Sequence, residues 1–301
     1  MSNILFSVIV ASYNNGRYLR ELFDSMLAQS YQNWELIFAD DCSTDDSLAI
    51  VKQFSEEDSR VKFFEHSKNL GVGAAFRTAA DHARGEVIGM LGADDALTSD
   101  AIEKMVAAHL NAPEASLINS DAYRCDENLN ILGKCESFSE LPLGVSLIEN
   151  ICVSNFASFK KAAYDKTLKF NSSFKRAVDH DIFLKLDELG SLSYVHEKLY
   201  LYRENPNGVS QNNNGLRASQ SSLLAKRDAY FRRLGTTKKN LSYLQFKTMM
   251  ITYYLRESYF YRINNRSMCN HFLMKALVEF PSIITKRDYW SILIRNNISL
   301  G

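Results

Sequence analysis

Short apolar runs alternating with segments of helical period, from Phe6 to Ser120, constrain this 301-residue chain more than anything else in it. Phe6-Ser-Val-Ile-Val-Ala11, Glu35-Leu-Ile-Phe-Ala39, Val61-Lys-Phe-Phe64, Glu86-Val-Ile-Gly-Met-Leu91 and Ser116–Ser120 read as strands, most of them buried on both faces. Between the first two, Leu19, Leu22, Phe23, Met26 and Leu27 recur at helical spacing. Leu48, Val51 and Phe54 do the same further on, and Val72–Ala83 is a small-residue helix able to pack closely on a sheet. Asn14-Asn15-Gly16 makes the first turn, and Ser43-Thr44-Asp45 is placed to cap the second helix. Asp100 with Glu103 predicts a capping box for a helix running through Leu110. Strands separated by helices of this length predict an α/β, Rossmann-like, mostly parallel sheet flanked by helices.

The later sequence is more mixed. The signal weakens from Ala122 to Asn150, where loops and a hairpin are expected. Asp179–Leu189 is an amphipathic helix with Ile182, Phe183, Leu186 and Leu189 on one face, and Leu199–Arg203 a short strand. Glu204-Asn-Pro-Asn-Gly208 and Gln211-Asn-Asn-Asn-Gly215 are turn-rich and predict a hinge. Everything after Leu216 looks helical. The expected organisation is a catalytic domain over 1–215, with halves at 1–121 and 122–215, and a helical extension over 216–301.

An apolar fraction of 46% and only four prolines predict a folded chain. No apolar run reaches the ~18 residues that span a bilayer. The first residues carry no Lys or Arg and no small-residue cleavage site, so no signal peptide is expected. Five scattered cysteines (42, 125, 135, 152 and 269) without a CxxC pair suit reduced thiols in the cytoplasm. The zero net charge hides an uneven split: Leu216–Gly301 holds 15 Lys and Arg against four Asp and Glu, a surplus of 11. That tail suits an anionic surface, such as lipid head groups or a lipid-diphosphate acceptor. No nucleic-acid-binding fold accompanies it, so nucleic acid is not an expected partner.

In a parallel sheet the carboxyl ends of the strands share one edge, where ligands bind. Ser12-Tyr13-Asn14, Asp40-Asp41 and Asp94-Asp95 all fall there. Tyr13 can lie along a nucleobase, and Asp40 can accept a hydrogen bond from a base N–H. Asp94 and Asp95 can hold a ribose and a hard cation, which takes one or two carboxylates and shares the substrate's phosphates. Together these predict a nucleoside diphosphate site. Neither a GxGxxG turn nor a P-loop is present.

Ser-Val-Ile-Val-Ala-Ser-Tyr-Asn (7–14), Ala-Asp-Asp-Cys-Ser-Thr-Asp (39–45), Asn-Leu-Gly (69–71) and Gly-Glu-Val-Ile (85–88), followed by Asp94-Asp95, resemble glycosyltransferase family 2. The resemblance runs from Phe6 to Arg203. It implies the GT-A fold and an inverting transfer from a nucleotide sugar, a UDP-sugar being favoured, with Mn²⁺ or Mg²⁺ as cofactor. It implies that Ser12, Tyr13 and Asp40 line the nucleoside pocket, that Asp94 contacts the ribose, and that Asp95 ligates the metal. Asp179-His180-Asp181 followed by Ile-Phe-Leu matches the family's acidic helix opening, which makes Asp179 the catalytic base. Leu199-Tyr-Leu-Tyr-Arg203 resembles the segment whose arginine lies near the donor phosphates, and Arg77 is a further phosphate contact.

Three positions depart from the family pattern. Gly92 stands where many relatives have an additional aspartate, Val178 where a glutamate is usual, and Phe76 where an arginine is common. The acceptor implied is a glycan or lipid-linked hydroxyl in bacterial surface-polysaccharide synthesis, at the cytoplasmic membrane face. The tail aromatics make a homodimer contact one option. Rival readings are a sugar-1-phosphate nucleotidyltransferase, a response-regulator-like acidic pocket and an inactive sugar-nucleotide binder. For single residues, the plain alternatives are that Asp179 is a helix cap, that Tyr13 packs on the sheet, that Arg203 forms an ordinary ion pair, and that Asp41 orients a loop.

Overall fold

A computed structural model describes residues 3–282, apart from 137–138, 155, 206–207, 209–212 and 263–264. The chain divides into two compact units, Met1–Gly215 and Leu216–Gly301.

In the first unit, β1 (Phe6–Ser12), β2 (Trp34–Asp40), β3 (Val61–Glu65) and β4 (Val87–Gly92) alternate with α1 (Gly16–Leu27), α2 (Ser47–Glu57) and α3 (Val72–His82). These four strands are parallel, in the order β3-β2-β1-β4. Val8, Val10, Leu36 and Phe38 are fully buried and pack with Leu19, Leu22, Phe23 and Phe54 of the helices. Phe23 stacks on Phe54 with ring centroids 4.2 Å apart. Each such side chain contributes roughly 1.5–3 kcal/mol by leaving water.

Beyond β4 the sheet is mixed. After β5 (Ala96–Leu97) and α4 (Ala101–Asn111) come β6 (Ala115–Cys125), β7 (Ile131–Lys134), β8 (Ala157–Lys160), the short α5 (Lys161–Tyr164), α6 (Val178–Asp187) and β9 (Ser191–Arg203). The strand order continues β4-β8-β6-β9-β5, with β7 on β6 as the expected hairpin. β8 is antiparallel to both β4 and β6, which leaves β6 running in the same direction as β4. β9 extends the predicted Leu199–Arg203 back to Ser191, and this polar first half is held as a strand by parallel pairing with β6 through register shifts.

The predicted caps also differ. Asp100 accepts from the Thr98 hydroxyl and pairs with Lys104, while Glu103 accepts from Ser30, so α4 has no capping box. Asp45 does serve helix starts, but two of them: it accepts from the Ser47 amide of α2 and the Gly16 amide of α1. A Cβ at Gly16 would lie 1.8 Å from Asp46 Oδ1, so a larger residue there requires the Asp46 side chain to move.

The second unit contains all but the first three residues of α7 (Asn213–Arg232), together with α8 (Tyr243–Tyr261) and α9 (Arg266–Glu279). Ser242 and Gln245 form a true capping box for α8, and Asn265 caps α9. Tyr254, Met250, Cys269 and Leu273 are buried between helices. Among the described residues, no helix is long and apolar enough to cross a membrane.

Candidate active site

Ser12 and Asp40 are register partners at the carboxyl ends of adjacent strands, and Gly92 ends the strand on the other side of β1. Three of the predicted clusters therefore meet along one edge. Asp40 is buried; its Oδ2 accepts from the Ser43 amide at 2.8 Å, while Oδ1 has no hydrogen-bond partner. The neighbouring Ser12 Oγ is likewise buried and unpartnered. Two adjacent orphaned polar atoms are costly unless a ligand satisfies them. Tyr13 follows at once, with 47% of its surface exposed, so its ring does not pack on the sheet. Asn14 adopts φ 56° and accepts from the Thr44 amide, joining this loop to the one after β2.

Asp41 has a different task. Its carboxylate accepts from the Leu70 and Gly71 amides, at 2.8 and 2.7 Å, and meets His66 Nδ1 at 2.8 Å. It orients the Asn69-Leu70-Gly71 turn, where Gly71 has φ 94°. That turn launches α3, and Gly73 in the first turn of α3 lies against the segment before α6. A Cβ at Gly73 would stand 2.3 Å from the Asn171 carbonyl oxygen and 2.7 Å from that of Phe174.

This contact helps place Asp179. The far end of α6 is fixed by Ser116 at the start of β6, whose hydroxyl donates to the Leu186 carbonyl at 2.8 Å. A ten-residue helix is about 15 Å long, so α6 begins toward the carboxyl edge of the sheet. Asp179 lies in the first turn, half-buried, and its carboxylate has no hydrogen bond or ion pair among the described residues. It is not the cap, because the residue preceding the helix is Ala177 in a left-handed conformation. Asp181 is buried and bound to Lys185 at 2.6 Å, and Lys185 also donates to the Lys169 carbonyl.

The acidic pair after β4 separates into two roles. Asp95 is buried: Oδ2 accepts from the Tyr200 hydroxyl at 2.5 Å and Oδ1 from the Arg203 amide at 2.8 Å. Burial, and then the charge of Asp94, push its carboxyl well above the usual range, against the bonds from Arg203 and Tyr200. Tyr200 Oη accepts in turn from the Gly92 amide at 2.9 Å. A Cβ at Gly92 would meet Asp95 Oδ2 at 2.4 Å, so glycine lets this turn close. Asp94 is half-buried, and its Oδ2 accepts from Asn205 Nδ2 at 2.8 Å.

Arg203, expected near phosphates, is buried and held by its own chain. Its guanidinium donates to the Asp94 and Glu127 carbonyls, pairs with Glu21 at 2.9 Å and lies over the Tyr18 ring. It fixes the turn that presents Asp94. Arg77 is bound to the Phe170 carbonyl at 3.3 Å and pairs with Asp81 at 3.5 Å, so its contacts support the 168–170 segment. Tyr200, Asn205 and Glu21 carry no sequence signal of their own as site-builders, because each acts on residues far away in the chain.

A parallel βαβ half with an acidic turn at its carboxyl edge, continued by a mixed half, fits the GT-A class that the family resemblance implies. Residues 7–174 match the family model described as glycosyl transferase family 2, and the chain belongs to that family. It is 30% identical over 196 residues to a chondroitin synthase of Escherichia coli, covering 65% of this chain and 28% of that one. It is 29% identical over 203 residues to a hyaluronan synthase of Pasteurella multocida, covering 65% and 20%. The chain thus spans well under a third of those relatives. EpsE of Bacillus subtilis is 31% identical over 203 residues, covering 66% of this chain and 72% of EpsE. Among solved structures, TarS of S. aureus in complex with UDP-GlcNAc aligns at TM-score 0.67 and 19% identity, covering 97% of this chain and 88% of that one. The mannosyltransferase PcManGT of Pyrobaculum calidifontis, in complex with GDP-Man and Mn²⁺, aligns at 0.57 and 15%, covering 97% and 86%.

Proposed function

We propose that this chain is an inverting glycosyltransferase that moves one sugar from a nucleoside diphosphate donor to a hydroxyl of a glycan or lipid-linked acceptor. The observation that carries the reading is the pair of buried, unpartnered atoms, Ser12 Oγ and Asp40 Oδ1, side by side at the strand ends. A pyrimidine N–H facing Asp40 and a hydroxyl or carbonyl facing Ser12 would satisfy both, with Tyr13 along the base. The UDP complexes of TarS make a UDP-sugar the favoured donor, and the GDP-Man complex of PcManGT makes a guanine donor the next to test.

The donor set suits a cation carried largely by the substrate. Asp94 offers one oxygen not bound to Asn205, Gly92 offers no side chain, and both oxygens of Asp95 accept from the chain. No group of three ligating side chains occurs among the described residues. One carboxylate plus a diphosphate is an ordinary Mg²⁺ or Mn²⁺ environment. Asp94, rather than Asp95, is therefore our candidate ligand; bound there, the ion would offset charge on the departing diphosphate.

Asp179 takes the proton of the acceptor hydroxyl as its oxygen bonds to the anomeric carbon, while the bond to the diphosphate breaks on the opposite face. A retaining double displacement needs a second carboxylate as nucleophile. Asp181 does not supply it, being buried against Lys185. Relatives named chondroitin synthase and hyaluronan synthase support a surface-polysaccharide role. The basic C-terminal region, with 15 Lys and Arg against four acids, is the reason to place that role with a peripheral protein at the cytoplasmic membrane face.

A thermal-shift panel of UDP, GDP, dTDP and CMP, with and without Mn²⁺, tests the donor site, since a ligand of the folded state raises the melting temperature. A shift with one diphosphate that is lost in Asp40→Ala supports the reading. Silence across the panel sinks it. An inactive binder would show the shift but no transfer.

A further inference from the structure

The second unit presents a surface that sugar transfer does not account for. Where α7 ends and α8 begins, Tyr230 stacks on Phe246 with centroids 3.9 Å apart and planes 12° apart, and Phe231 meets Phe246 edge-on at 5.4 Å. Asn240 donates to the Tyr230 carbonyl, the buried Arg233 to that of Lys239, and the Ser242–Gln245 box closes α8. The hairpin tip is thus an ordered unit. Yet it displays Phe231, Leu234, Tyr243 and Leu244 at 56, 55, 65 and 70% exposure. Single exposed apolar residues are common, but four on one tip form a patch.

The charge around the patch identifies its occupant. Between Asp228 and Glu257 there is no acidic residue, and Arg232, Lys238, Lys239 and Lys247 lie at or within about one turn of the tip, while Arg233 is buried. Two copies of the chain meeting tip to tip would bring like charge together. An anionic bilayer complements both features: negative head groups match the basic charge, and its interface accepts Tyr, Phe and Leu to shallow depth. We infer that the α7–α8 hairpin tip, through Phe231, Leu234, Tyr243 and Leu244 set among basic residues, docks the protein on an anionic membrane surface. This rests on the peripheral-membrane part of the proposed function and not on its chemistry.

The test is co-sedimentation of the full chain with vesicles of phosphatidylcholine alone, or containing about one third phosphatidylserine. Leu234→Ser with Leu244→Ser removes apolar contact without touching the Tyr230–Phe246 stack; Lys238→Glu with Lys239→Glu reverses charge. Expected are binding only to the phosphatidylserine vesicles, loss at high salt, and a drop of about ten-fold or more in each double variant, with melting temperature unchanged. Equal binding by parent and both variants, or no binding by the parent, overturns the inference. So does a parent dimer in analytical ultracentrifugation that the leucine variant dissociates. Vesicle binding with no nucleotide-induced thermal shift keeps this inference and removes the donor site.

Discussion

Adjacent aspartates with identical chemistry have different work here because only one is buried. Asp95 is bonded to Tyr200 and the Arg203 amide, whereas Asp94 keeps an oxygen for other partners. Asp95→Ala leaves two buried donors unpaired, at on the order of 1–3 kcal/mol each, and is expected to lower the urea midpoint clearly. Asp94→Ala is expected to stay within about 1 kcal/mol of the parent while abolishing the Mn²⁺-dependent part of the thermal shift. The reverse pattern would return the metal to Asp95. For Asp179→Asn, turnover is expected to fall roughly 10²–10⁴-fold with the nucleotide shift intact, since only the proton acceptor is lost. Turnover near the parent's would remove Asp179 as base.

At the scale of elements, the site depends on how α3 touches the approach to α6. Gly73 has no room for a methyl group, and the atoms it would strike are backbone oxygens that do not swing aside. Gly73→Ala is expected to cost about 1–3 kcal/mol in denaturant unfolding and to lower turnover more than nucleotide affinity, because the displaced segment leads to Asp179. Loss of nucleotide affinity with turnover per bound donor unchanged would contradict this placement. The strands of the parallel half were legible from their apolar runs alone. β8 was not, because Ala157-Ser-Phe-Lys160 is four residues long and exists as a strand only between β4 and β6.

Across the whole molecule, one buried histidine links pH to stability. His109 on α4 bonds Ser158 of β8, and burial, with the charge of Lys160, lowers its pKa from 6.5 to about 4. The unfolded chain binds the proton first as pH falls below 6.5, so stability drops through the window down to about 4 and is fully present above it. The loss is on the order of 2 kcal/mol between about pH 7 and about pH 5. His109→Gln is expected to flatten that fall in urea unfolding; an equally steep fall in the variant would assign it to other groups.

Apolar period alone was enough to determine the strand–helix alternation, the parallel half of the sheet and the edge where Ser12, Asp40 and Asp94 gather, since burial on two faces leaves few other arrangements. Asp179 was singled out by the resemblance of Asp179-His180-Asp181 to the family's acidic helix opening, and that resemblance says nothing of what holds the helix in position. Tertiary structure decided which acid of each pair is available: Asp41 goes to the Leu70 and Gly71 amides, Asp95 to Tyr200 and Arg203. It also gave Arg203, expected near the donor phosphates, bonds to the Asp94 and Glu127 carbonyls and to Glu21. These outcomes rest on partners up to 182 residues apart, and a hydrogen bond across such a separation leaves no periodicity in the chain to read.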